Sequence, residues 1–165
     1  MRIGFTGTLE GLTKSQGGSF IQLVEFLGIT EFEHGDALGA DCESHNILLD
    51  NNILKSDNIF KRPCYILNKR AFTKEGSLLE EPIAPIERNH KIVNEIEILI
   101  GCPKGFEEEL RSGTWATIRY AKKTNKLTYI IYPDGSIIEI NSGTEKEFVI
   151  PHKESNNEIT TSATV

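Results

Sequence analysis

Short runs of β-branched and aromatic residues alternate with stretches of helical period along this chain, and glycine stands at the joints between them. Arg2 to Thr8 carries Ile3 and Phe5 into a strand that ends in Gly7-Thr8. Thr13-Lys14-Ser15-Gln16 then has the form of a capping box, and Phe20, Leu23, Val24 and Leu27 recur at helical spacing before Gly28, a C-cap. The unit repeats. Ile29 to His34 reads as a strand, Gly35-Asp36-Ala37-Leu38-Gly39-Ala40-Asp41 as a loop, and Asp41 as the cap of a helix running to about Leu54. Two strand-loop-helix units in succession predict an α/β fold with a parallel sheet.

The third strand is expected within Asn58 to Leu67, interrupted by Pro63, and Asn68 to Pro85 reads as a polar connection. Pro85-Ile86-Glu87 opens a helix that carries Arg88 and Asn89 near its start, because proline at a first helical position sacrifices no hydrogen bond. Glu97 to Gly101 is an apolar run fit for a buried central strand. Cys102 to Arg111 forms the next loop, Ser112-Gly113-Thr114 leads into a helix with Trp115, Ile118 and Ala121, and Leu127 to Tyr132 supplies another strand. Pro133-Asp134-Gly135 then predicts a hairpin that adds an antiparallel strand at Ile137 to Ile140.

A length of 165 residues suits one domain, taken as 1–150, followed by a polar tail at 151–165 that is expected to be disordered. The net charge of −6 argues against a chain that neutralises a long phosphate backbone, so nucleic acid is not the expected partner. Cys42, Cys64 and Cys102 form no CxxC pair, and His34, His45 and His90 form no HxxxH pair, so no metal site and no cofactor is expected. With no apolar run of about 18 residues and no signal-type segment at Met1 to Phe5, the expected location is cytoplasmic, with no membrane contact.

In an open parallel sheet, ligands bind beyond the carboxyl ends of the strands, where helix N-termini converge. Three glycine loops fall there: Gly7-Thr8, Gly35 to Asp41, and Ser112-Gly113-Thr114. Their free N–H groups and helix dipoles suit a phosphate. Neither GxGxxG nor GxxxxGK[ST] is present, which argues against dinucleotide dehydrogenase and P-loop chemistry.

Four ordered segments carry a family resemblance. Gly4-Phe5-Thr6-Gly7-Thr8, His34-Gly35-Asp36-Ala37-Leu38-Gly39-Ala40-Asp41, Glu87-Arg88-Asn89-His90-Lys91-Ile92-Val93 and Arg111-Ser112-Gly113-Thr114-Trp115 resemble the motifs of the SLOG superfamily, which has DprA-like, LOG-like and YspA-like branches. The resemblance spans roughly Met1 to Tyr132. It implies a Rossmann-like, doubly wound, mainly parallel sheet with helices on both faces, homo-oligomeric assembly, and a nucleotide-type ligand with its phosphate at Gly113-Thr114. The residues it places at the ligand are Gly7, Thr8, Gly35, Asp36, Gly39, Arg88, Asn89, Ser112, Gly113, Thr114 and Trp115, although Trp115 suits the core of its helix better than a base-stacking wall.

Within that resemblance, LOG-type proteins cleave the N-glycosidic bond of nucleoside monophosphates with a glutamate in GTxxE and an arginine, here Arg88. Thr117 stands where that glutamate belongs and offers no carboxylate. The first expectation is therefore binding of a nucleotide or nucleotide-derived signalling molecule, cyclic or ADP-ribose-like, as a sensor, carrier or sponge without turnover. The alternatives are an N-glycosidase that uses Arg88 with Asp36 or the Glu107-Glu108-Glu109 cluster, and a DprA-like single-stranded DNA handler, for which the acidic charge is unfavourable.

Overall fold

The computed structural model describes residues 1–151, so the expected tail lies outside the described residues except for Pro151. The chain runs β1 (Arg2–Gly7), α1 (Lys14–Leu27), β2 (Glu31–His34), α2 (Ala40–Asp50), β3 (Ile59–Lys61), β4 (Ser77–Leu78), α3 (Pro85–Glu95), β5 (Ile98–Cys102), α4 (Gly113–Lys123), β6 (Leu127–Ile131), β7 (Ile137–Asn141) and β8 (Thr144–Phe148). The eight strands form one sheet in the order β4-β3-β2-β1-β5-β6-β7-β8. Strands β1 to β6 pair in parallel, and β7 and β8 add an antiparallel edge. This is the expected α/β, Rossmann-like architecture. The chain leaves β1 toward β2 on one side and returns to β5 on the other, so the switch point lies between β1 and β5.

Period-two alternation in the central strands divides the core between the two faces of the sheet. Ile98, Ile100 and Cys102 of β5 pack with Phe20, Leu23 and Val24 of α1 and Leu48 of α2, and Phe5, Phe20 and Phe32 meet there with ring centroids 5.6–6.0 Å apart. Leu99 points to the opposite face, against Val93 of α3 and Trp115, Ile118 and Ala121 of α4. Glycines on this second face let the helices approach closely. A Cβ on Gly4 would stand 2.4 Å from Ile96 Cδ1, and one on Gly101 would stand 2.8 Å from Ile118 Cδ1.

The third strand, Ile59–Lys61, lies within the expected span and ends before Pro63. Three sequence expectations need correction. Helix α2 begins at Ala40 with Gly39 as its N-cap residue, so Asp41 lies inside the first turn and caps nothing, and the helix ends at Asp50, short of Leu54. The polar connection contains β4, whose two exposed residues pair with Phe60 and Lys61. Finally, β8 follows the expected hairpin, its alternating charges Glu145, Lys146 and Glu147 solvated on an edge that buries almost nothing.

One buried ionic cluster ties the irregular stretch to the sheet. The Arg62 guanidinium, 5% exposed, donates to Glu33 on β2, to Glu80 in the connection and to Glu95 on α3. No helix among the described residues is long and apolar enough to cross a membrane.

Candidate functional site

A cavity of about 400 Å3 opens at the carboxyl end of β1, beside the switch point, between the N-terminal ends of α3 and α4. Eight of the expected ligand residues line it: Gly7 and Thr8 after β1, Gly35 after β2, Arg88 and Asn89 on α3, and Ser112, Gly113 and Thr114 at α4. Asp36, Gly39 and Trp115 do not.

The first two glycine loops are occupied with each other. Thr8 N donates to Cys102 O at 3.0 Å, while Thr8 O accepts from Ala40 N at 2.9 Å and Gly11 N at 3.3 Å. Gly39 sits at φ 80°, and a Cβ there would lie 2.4 Å from Leu9 O. These glycines dock the start of α2 against the end of β1, where a Cβ on Gly7 would meet that of Ala40 at 2.4 Å.

Asp36 is buried away from the cavity. Its carboxylate accepts from Arg70 Nε at 3.0 Å, Thr73 N at 3.0 Å and Thr73 Oγ1 at 2.6 Å. Burial favours protonation, but the hydrogen bonds from Thr73 and Arg70 outweigh it and hold the carboxyl below its ordinary range. Asp36 thus anchors the 70–73 segment, with both carboxylate oxygens engaged there. Trp115, 5% exposed, belongs to the α4 core.

Asp41 occupies the position that sequence reasoning gave to Asp36. It is 4% exposed, and its Oδ2 accepts from Gly35 N at 3.0 Å and Ala37 N at 3.2 Å. Oδ1 accepts no hydrogen bond among the described residues and is not fully enclosed, and Asp41 lines the cavity. Burial pushes the carboxyl up to about 6, against the pull of Arg88 and of the two backbone donors. Arg88 Nη1 donates to Gly35 O at 2.7 Å, and Arg88 Nε donates to Asn89 Oδ1 at 2.7 Å. A Cβ on Gly35 would stand 2.3 Å from Arg88 Nη1 and 3.1 Å from Asp41 Oδ2, so Gly35 is the spot where both charged groups converge. Arg88 Nη2 and Asn89 Nδ2 make no protein hydrogen bond among the described residues and stay open to the cavity.

At the other end, Ser112 Oγ caps Trp115 N at 3.3 Å. The preceding N–H groups, of Gly113 and Thr114, lie in the first turn of α4 and have no acceptor among the described residues. A Cβ on Gly113 would meet no heavy atom within 4 Å among the described residues beyond its chain neighbours and the backbone of its own helix. Thr117 lines the cavity and donates its hydroxyl to Gly113 O at 2.8 Å. Lys69, Arg88 and Arg111 line the cavity without a carboxylate within ion-pair distance among the described residues, whereas Lys104 lies 3.8 Å from both Glu10 and Glu109. Arg119 is spent on Glu108 and the carbonyls of Glu109 and Leu110.

Most other titratable side chains of the site loops and core fall outside the cavity. Glu87 points to solvent, 3.9 Å from Lys91. Cys102 is sealed in the core and burial pushes its thiol up, while Cys64 reaches the cavity wall. His34 and His45, eleven residues apart and unpaired by spacing, meet in the interior with Nε2···Nδ1 at 2.9 Å. Burial and the proximity of His45 lower the His34 pKa, and burial lowers that of His45, so both rings are biased toward the neutral form.

No protein-family model, curated protein or solved structure matches the chain.

Proposed function

We propose that the protein binds a nucleotide or nucleotide-derived molecule in the switch-point cavity, as a sensor, carrier or sponge. One observation carries this reading: the N–H groups of Gly113 and Thr114, free of acceptors among the described residues, open onto a cavity that also holds Lys69 and Arg111, neither with a carboxylate partner among the described residues. Those are the donors a phosphate needs, at a helix end whose dipole favours an anion. The volume, about 400 Å3, suits a mononucleotide or one nucleotide unit of a larger signalling molecule. The resemblance to the SLOG superfamily points the same way and carries homo-oligomeric assembly with it.

Binding without turnover is favoured by Thr117, whose hydroxyl is engaged by Gly113 O and which supplies no carboxylate. A second reading, hydrolysis of an N-glycosidic bond, rests on Asp41 in place of Asp36: a cavity-facing carboxyl pushed up to about 6 retains a proton fraction that a departing base can take.

Thermal-shift screening against ribo- and deoxyribonucleoside monophosphates, cyclic mono- and dinucleotides and ADP-ribose tests both readings, provided that each stabilising ligand is analysed afterwards by chromatography. A ligand recovered intact is the expected result. Free base and sugar phosphate would transfer the conclusion to the second reading, and the absence of any stabilising ligand would remove both.

A further inference from the structure

The cavity has two chemically different poles. At α4, the N–H groups of Gly113 and Thr114 and the Arg111 side chain offer donors, and Glu109, which also lines the cavity, lies 3.8 Å from Lys104. At Gly35, an acceptor and donors stand together: among the described residues Asp41 Oδ1 has no donor, and Arg88 Nη2 and Asn89 Nδ2 have no acceptor. A phosphate suits the first pole and not the second, because the Asp41 carboxylate repels it.

We propose that the Asp41–Arg88–Asn89 pole recognises the vicinal hydroxyls of a ribose, so that the site selects ribonucleotides over 2′-deoxyribonucleotides. This rests on the nucleotide reading above and adds the sugar to it.

The geometry asks for a group that both donates and accepts. Asp41 is held from behind by Gly35 N and Ala37 N, which fix one oxygen and leave the other facing the cavity. Arg88 is fixed in the same way by Gly35 O and the Asn89 side chain, so neither group needs to reorganise on binding. At pH 7.5 the Asp41 carboxyl is ionised and accepts only, so it requires an O–H or N–H. A hydroxyl donates to it while accepting from Arg88 or Asn89, and a vicinal diol satisfies both partners at once. Removing one hydroxyl leaves a largely buried carboxylate facing a void or a trapped water, and a site built to bind a hydroxyl discriminates strongly against the analogue that lacks it. The exocyclic amine of a base is the competing donor, and it differs in following the base and ignoring the sugar.

Isothermal titration of the full chain with the four common ribonucleoside 5′-monophosphates and their 2′-deoxy counterparts at pH 7.5 separates these cases. The ribo forms are expected to bind about 10- to 100-fold more tightly than the deoxy forms of the same base. In Asp41→Asn, which keeps an acceptor for Gly35 N and Ala37 N, the ratio is expected to shrink at least about fivefold while the far-UV spectrum stays unchanged. Equal affinity for ribo and deoxy forms in the unmodified protein would overturn the inference and leave the nucleotide reading standing. Discrimination that tracks the base amine and not the sugar would overturn it in the same way. If no monophosphate of either sugar binds, this inference falls, and the nucleotide reading then stands or falls on the cyclic nucleotides and ADP-ribose of the thermal-shift screen.

Discussion

Asp41 shows how one side chain can be misjudged from sequence and still be the centre of a site. An aspartate after Gly-Ala at a helix start looks like a cap, and Asp36, one residue beyond the glycine that follows β2, looks like the ligand contact. Two backbone conformations reverse the roles. Gly39 at φ 80° starts the helix early and turns Asp41 inward, and Asp36 at φ 52° directs its carboxylate to Arg70 and Thr73. Positive φ at a non-glycine residue is a tertiary outcome that a single sequence does not announce. A pH effect follows. The Asp41 pKa rises from 3.8 to about 6 on folding, so between those values the folded chain holds a proton that the unfolded chain has lost. Stability from this group is therefore fully present below about pH 4 and is lost as pH rises through 6, a difference on the order of 3 kcal/mol. The His34–His45 pair acts in the opposite direction, since its lowered pKa values remove stability as pH falls below 6.5. Comparing Asp41→Asn with the unmodified chain cancels the histidines. The variant should gain stability relative to its parent above pH 6, and the gain should vanish near pH 4 in urea titrations at each pH. A gap that does not change with pH would place the Asp41 carboxyl in water.

The same scale separates the loop glycines. At Gly35 the intruding neighbour is the end of a flexible arginine, so Gly35→Ala should fold normally and displace Arg88, weakening ligand binding about tenfold or more. At Gly39 the neighbour is the Leu9 backbone and φ is 80°, so Gly39→Ala should lose about 2 kcal/mol or more of stability. Denaturant midpoints and ligand titrations on both variants check the contrast, and a reversal of the two phenotypes would contradict it.

Elements were legible wherever their own sequence carries the signal. The capping box at Thr13 and Gln16 forms as read, with Gln16 N on Thr13 Oγ1 and Thr13 N on Gln16 Oε1, both at 3.0 Å. The apolar runs at Ile3, Ile98 and Leu127 became β1, β5 and β6 because burial on both faces leaves no polar alternation to misread. Strands β4 and β8 were not legible. Ser77-Leu78 is a strand only because β3 lies beside it, and Thr144 to Phe148 is charged and exposed, with pairing to β7 as its cause. The stretch between β3 and α3 likewise takes its order from a charge cluster that no spacing shows. Arg62→Ala would leave Glu33, which is fully enclosed and already raised by burial, with only the longer contact from Arg2 at 3.5 Å, and should cost about 3 kcal/mol. Arg62→Ala/Glu33→Gln should recover part of that loss in equilibrium unfolding. If the single variant is nearly neutral, the cluster is solvated and does not hold the connection.

At the scale of the molecule, the cavity depends on both halves of the sheet. Its Asp41 pole is built by loops after β1 and β2, its phosphate pole by α4 after β5, and α3 spans the two through Arg88. The four motifs that pointed to a site are distant in sequence, and only the reversal of strand order at β1 and β5 brings their loops to one opening; that part of the site was legible because it follows from topology. What was not legible is which groups remain unpartnered once the loops have satisfied one another, and those unpartnered groups decide the chemistry. Because core residues of both faces meet on β5, neither half retains a complete core of its own, and unfolding should be a single transition with coincident midpoints in far-UV ellipticity and Trp115 fluorescence. A ligand that bridges the two poles stabilises that whole unit: at one hundred times its Kd the stability should rise by about 2.7 kcal/mol, reported equally by both probes. Arg111→Gln, which removes a cation from the phosphate pole, should reduce that rise at the same ligand concentration without moving the unliganded midpoint. A ligand shift seen by only one probe would mean that the halves unfold separately and that the cavity is not the shared site.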